Sequence, residues 1–154
     1  MPFSLSPIPA PIAGRYAAQS DIEDVFGCDN VAIWSQLNND STGPDDVRLL
    51  KPLAFADAAI DDALRGGPYA LPLSAADGSI PPQLTNWAAT IAGIWLYQSR
   101  GGRAGDQEAT RYAQVLADIY QQIALAKSGT LHLDALCCTP ATPNCPTLER
   151  DPRR

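Results

Sequence analysis

Histidine occurs once in this sequence, at position 132, and that scarcity narrows the chemistry at once. A Ser-His-Asp hydrolase would depend on His132, which sits at the edge of a Pro/Thr-rich tail, and no Gly-x-Ser-x-Gly elbow presents a serine. A phosphate-cradling loop is missing as well: "SRGGRAGD" lacks the lysine and hydroxyl such a loop needs, and "LAKSG" lacks the glycines. Basic clusters are scarce. The formal charge is −6, with 11 Lys and Arg against 17 Asp and Glu, and the one dense basic group is Arg150, Arg153 and Arg154, interrupted by Asp151. A surface that grips nucleic acid neutralises phosphates with clustered Lys and Arg, so that role is disfavoured. Long apolar runs are missing too. The most apolar stretch, residues 87–97, falls short of the roughly 20 residues that cross a bilayer. The opening "MPFSLSPIPAPIAG" has no basic region, and its prolines break any apolar one, so it reads as an extended arm and not as an export signal. The cysteines are accordingly expected to be reduced, as in a cytosol.

What is present suits a single modest core. Apolar residues make up 45% and charged residues 18% of 154 residues, a balance that supports a folded chain. Fourteen prolines cluster at the two ends and around residues 68–82, where with the paired glycines 66–67 and 101–102 they act as punctuation.

Between these breaks the apolar residues recur at helical spacing. Ser20-Asp21-Ile22-Glu23 has the pattern of a capping box opening a short helix that Gly27 ends, and Asp29 is the expected cap of a second carrying Val31, Ile33, Trp34 and Leu37. A helical region spans about Asp45 to Arg65, with Pro52 expected to delay its well-formed part until near Lys51. Leu53, Ala56, Ile60 and Leu64 form its stripe, Asp57, Asp61 and Asp62 lie mostly off it, and Gly66 suits its end. Pro81-Pro82 start the clearest helix; Leu84, Trp87, Ala88, Ile91, Ile94 and Trp95 form one face and Leu96 and Tyr97 widen it, which marks it as the central element. A last long helix runs from about Asp106 to Lys127, with Tyr112, Val115, Leu116, Ile119, Ile123 and Ala126 at core spacing and Gly129 at its end. The reading is mainly α: four to five helices in a compact bundle, an extended N-terminal arm (1–14), a proline-rich inter-helix segment and a loose C-terminal tail (135–154) around a helical domain at 15–134.

Other patterns resolve into ordinary structure. The paired acids Asp45-Asp46 and Asp61-Asp62 point about 100° apart on a helix, which suits a solvated face better than a shared acid/base site. Residues 38–43, "NNDSTG", mimic the start of a calcium loop, yet Leu49 stands where the closing Glu belongs. Cys28 reads as a small core residue. Cys137, Cys138 and Cys145 follow His132 in the tail; adjacent cysteines chelate one metal poorly, so no cofactor is expected. The alternative they leave is a small zinc-dependent regulatory or DNA-binding module using His132 and the tail thiols.

The segment "GGPYALPLSAADGSIPPQL" places Tyr69, Leu71, Pro72 and Leu73 between breakers. Two readings stay open: these residues cover their own core, or they contact a neighbouring subunit or another protein.

The linear order carries a resemblance. Tyr16-x-x-x-x-Asp21-Ile22 precedes a short helix ending in Phe26-Gly27; then come "ADAAIDDAL", Gly67-x-Tyr69-x-Leu71-Pro72-Leu73, Pro81-Pro82-x-Leu84, and a helix ending in "YQSR". Over about residues 15–134 this resembles the phage Mu gp36-like family, small proteins encoded among phage head genes and considered related to head–tail connectors. The chain departs from it in Gly67-Pro68, where the family commonly has Gly-Arg, and in its longer arm and cysteine-containing tail. The resemblance implies a structural, non-enzymatic virion protein at the neck, made in the host cytoplasm. It would form a ring of about twelve copies under the portal protein, with a tail-completion or tail-terminator protein below and DNA passing through the lumen without specific binding. Tyr69, Leu71, Pro72 and Leu73 are then the candidate contacts to subunit or portal.

Overall fold

A computed structural model describes residues 12–36, 43–100, 106–135 and 137, and five helices carry most of them: α1 (Gln19–Phe26), α2 (Cys28–Ser35), α3 (Asp46–Leu64), α4 (Pro82–Ser99) and α5 (Gln107–Lys127). Among the described residues the β-type pairing is confined to two isolated bridges, Ala13 with Ala18 and Tyr69 with Cys137. The mainly α expectation stands.

The chain enters α1 through a tight reversal. Gly14 N–H donates to Ala17 O at 2.7 Å and Gln19 N–H to Ile12 O at 2.9 Å, so residues 12–14, expected in a free arm, fold back on the helix start. That reversal moves the cap. The Ser20 box is replaced by a cap two residues earlier, in which Ala18 N–H donates to Asp21 Oδ2 at 2.7 Å, while Glu23 accepts from Gln19 Nε2 at 2.7 Å. Gly27, at φ 88°, ends α1 and stands at the cap position of α2, so Asp29 lies inside the first turn of α2 and is not its cap. Cys28 is exposed and not a core residue, because it opens α2 on the outer side, with Sγ 3.8 Å from Glu23 Oε2. Leu37 lies outside the described residues.

Helix α3 begins earlier than proline chemistry alone suggests. Asp45 Oδ1 accepts from Arg48 N–H at 3.1 Å, and Leu49 is fully buried. A side-chain cap and a buried apolar anchor hold the first turn, and Pro52 sits within the continuous helix with its ring on the core side. Leu49, where a calcium loop would need a carboxylate, is thus a core residue. Residues 38–42 of that mimic lie outside the described residues.

Helix α4 is the axis of the bundle. Pro82 occupies its first turn, and Leu84, Trp87, Ile91, Ile94 and Leu96 are all buried. Helices α1, α2, α3 and α5 all pack on α4, and α1 packs on α2, α2 on α3 and α3 on α5. Gly93 lets α1 come close: a Cβ there would stand 2.1 Å from Phe26 Cε2. Helix α5 buries Ile119, Ile123 and Ala126 and half-buries Tyr112, Val115 and Leu116; its Gln122 Oε1 accepts from Trp87 Nε1 at 3.0 Å. Residues 101–105, with the glycine pair expected to end α4, lie outside the described residues. At one end of the bundle Phe26, Trp34, Tyr97 and Tyr112 meet edge to face, with centroids 4.9 to 6.3 Å apart. Such pairs add about 0.5–1.5 kcal/mol each beyond the area they bury.

Candidate functional site

The α3–α4 connection is built by its breakers. Gly66 adopts φ 82° and turns the chain out of α3. Gly67 is there for space: a Cβ would stand 3.1 Å from Leu64 O and 3.3 Å from Lys127 Cα, so the connection passes tightly over the end of α5. Farther on, Gly78 at φ 83° and Asp77 close a turn, with Asp77 Oδ1 accepting from Ser79 N–H at 2.9 Å and from Ser79 Oγ at 2.6 Å. These two bonds to the charged form hold the Asp77 carboxyl below its ordinary range.

Between these turns the four candidate residues divide. Tyr69 and Leu73 are buried in the chain's own core, at 4% and 1% exposure. Leu71 and Pro72 are exposed, and the peptide bond joining them is cis. Of the two open readings, covering the core describes Tyr69 and Leu73, and only Leu71 and Pro72 face outward.

Two tyrosines hold the segment in place. Tyr69 Oη accepts from Leu133 N–H at 3.0 Å and donates to Leu131 O at 3.3 Å, which fastens the chain after α5 against the connection. Leu133 is buried by this contact without forming a strand. Removing the Tyr69 hydroxyl as Tyr69→Phe is expected to cost about 1–2 kcal/mol, since Leu133 N–H is left buried and unpaired. Amide exchange at Leu133 should then rise by at least tenfold while α4 amides keep their protection; unchanged exchange at Leu133 would contradict the clamp.

Tyr16 plays the same part at the other end. Its hydroxyl accepts from Leu73 N–H at 3.0 Å and donates to Asp61 Oδ1. Asp61 also pairs with Arg15, while Asp57 accepts from Arg15 N–H at 2.6 Å and Tyr16 N–H at 3.1 Å. Asp57 thus receives the backbone that enters α1, and Asp61, expected on a solvated face, receives its side chains; together they join residues 15–16, α3 and the connection. The missed signal is their i, i+4 spacing, which sets both carboxylates on one side of α3. Asp62 behaves as expected, pairing at the surface with Arg65 at 3.0 Å. Burial first, then the hydrogen bond to Asp61, pushes the Tyr16 phenol up to about 12.

His132 and Cys137 are exposed, while Cys138 and Cys145 lie outside the described residues. Among the described residues no three His, Cys, Asp or Glu side chains gather as a metal site, and no helix is long and apolar enough to cross a membrane. The hydroxyl–carboxylate contacts at Tyr16 and Asp61 are ones that hold a fold: Asp61 is shared with Arg15, and the phenol is occupied by Leu73.

The arrangement can therefore fix a loop and present Leu71 and Pro72. A family model described as "Bacteriophage Mu, Gp36" matches residues 16–142, from the clamp tyrosine past the end of the described core. No curated protein matches the chain.

Proposed function

The chain belongs to the bacteriophage Mu Gp36 family, and from that premise we propose that it is a structural, non-enzymatic head–tail connector. It assembles as a ring beneath the portal protein at the virion neck and offers its lower face to a tail-completion or tail-terminator protein. The family match, which takes in the whole helical bundle, is the observation that carries this reading. The charge of −6 supports it, because an acidic lumen repels the phosphates of passing DNA and lets the duplex slide. A segment fastened at both ends by buried tyrosines supports it further, since Leu71 and Pro72 are held ready and lose little entropy on docking.

The test is reconstitution. Purified chain mixed with portal rings of the same phage is expected to add one layer of density in negative-stain images. Leu71→Ser should weaken that layer while lowering Tm by only a few degrees, since the residue is already 36% exposed. Portal rings that gain no layer from wild-type chain would overturn the connector reading. A full layer with Leu71→Ser would remove Leu71 from the contact.

A further inference from the structure

The helices around α4 leave one gap in their circle. Packing runs from α1 to α2, α2 to α3 and α3 to α5, but α1 and α5 do not pack along their lengths; Phe26 and Tyr112 reach across with ring centroids 5.8 Å apart. Beside those rings lies a slot of about 270 Å³, lined by Val25, Phe26, Thr90, Ile94, Tyr112 and Val115 together with exposed Arg111. The Thr90 hydroxyl is spent on Asn86 O at 2.8 Å, so apart from Arg111 and the Tyr112 phenol the lining side chains offer apolar surface.

Three observations lead the N-terminal arm, residues 1–11, to this slot. The first is direction. Ala13 pairs with Ala18 in an antiparallel bridge, and Gln19 N–H donates to Ile12 O at 2.9 Å. In an antiparallel pair the chain before Ala13 heads the same way as the chain after Ala18. At Ile12, half-buried against the core, the chain is therefore aimed along α1 towards Val25 and Phe26 at its far end. The second is reach. Helix α1 has eight residues and is about 12 Å long. An extended proline-rich chain covers about 3.1 Å per residue, so it can set Ile8 about 12 Å from Ile12, level with the slot. The opposite terminus departs from the wrong end: Cys137 pairs beside Tyr69, where α5 finishes, whereas the slot lies where α5 begins. The third is chemistry. The arm, "MPFSLSPIPAP", carries no Asp, Glu, Lys or Arg, and Pro7, Pro9 and Pro11 have no N–H to satisfy. A chain short of donors suits a lining short of acceptors, and aromatic-lined grooves seat proline-rich extended segments. Three residues per turn also place Leu5, Ile8 and Pro11 on one face of such a segment.

We propose that residues 5–11 of the chain dock in its own α1–α5 gap, with the face carrying Leu5 and Ile8 turned onto Phe26 and Tyr112. The arm then closes the circle of helices and covers the slot within a single copy. The inference goes beyond the connector reading and does not depend on it, because the arm lies ahead of the residues that the family model matches.

The experiment is NMR on the full-length chain. Isotopically labelled wild type is expected to show nuclear Overhauser contacts from the Leu5 and Ile8 methyl groups to the Phe26 and Tyr112 rings. A mixture of labelled and unlabelled chains, filtered for contacts between copies, is expected to show none of these. Replacing both arm residues, Leu5→Asp with Ile8→Asp, should move the ring resonances of Phe26 and Tyr112. The contact between the Trp34 and Tyr97 rings, 5.4 Å apart, should persist in that variant and so report an intact bundle. Wild type in which neither methyl-bearing residue meets either ring overturns the proposal. Ring resonances that stay in place in the double variant overturn it too. Contacts that appear between copies also overturn it, and give the slot to a neighbour's arm.

Discussion

Gly93→Ala is expected to destabilise the bundle by about 2 kcal/mol, although alanine is the better helix former by about 1 kcal/mol. The new methyl group would stand 2.1 Å from Phe26 Cε2 and 2.4 Å from Cδ2, far inside van der Waals contact. Position 93 is buried on the central helix, and Phe26 is not a free end that can swing aside: its ring meets Trp34 and Tyr112 edge to face. Relief therefore requires α1 to move from α4 or the aromatic group to part, and overpacking of this kind costs about 1–3 kcal/mol, occasionally more. Thermal melting should report a fall of roughly 4–8 °C. The diagnostic comparison is the double variant. Once Phe26→Leu has removed the ring, Gly93→Ala should become neutral or stabilising, because only the helix propensity remains. An equal loss in both backgrounds would show that the close approach is not the reason for glycine.

Tyr16→Phe is expected to cost about 2–3 kcal/mol while keeping nearly all of the buried ring. The hydroxyl receives Leu73 N–H, a buried donor that would be left without a partner, and such a loss costs about 1–3 kcal/mol. It also donates to Asp61, and bonds to a charged acceptor are the stronger kind. The same hydroxyl gives the fold a dependence on alkaline pH. Its pKa stands at about 12 in the folded chain, against about 10 for a free tyrosine. The folded state holds that proton more tightly, so the contribution is complete below pH 10 and is lost as pH rises from 10 towards 12. Burial raises Tyr97 and Tyr112 as well, with Glu108 adding to it, so they act in the same direction as Tyr16. Tyr16→Phe should therefore flatten part of the alkaline decline in Tm and lower Tm at neutral pH. A variant as stable as wild type at pH 7, with the same decline above pH 10, would remove Tyr16 from the clamp.

Which parts of this architecture could be read in advance follows from how local each cause is. The stripes of α3, α4 and α5 depend on residues three and four apart, and Gly66 and Gly129 end helices by a conformation their own lack of Cβ permits, so these elements were legible. Gly93 and Phe26 lie 67 residues apart, and only the crossing of α4 over α1 reveals why a glycine interrupts an apolar helix. Asp57 and Asp61 showed a visible spacing, but amphipathic reasoning sends aspartates to solvent unless the donor is known; Tyr16 arrives from more than forty residues away. The cap of α1 was misplaced because the competition between Ser20 and Ala18 is decided by the reversal at Ile12–Gln19, not by propensity at the cap. In the connection the identities of the apolar residues were plain, but their directions were not. Gly67 lying against Lys127 brings the segment over the bundle, and that approach sends Tyr69 and Leu73 inward and leaves Leu71 and Pro72 outside.

The connector reading is tested most directly in the phage itself, by deleting the gene and imaging the lysate. The expected result is DNA-filled heads and finished tails lying unattached, with joining restored when the chain is supplied from a plasmid. Tailed, infectious particles made without the chain, or a lysate of unfilled heads, would contradict it.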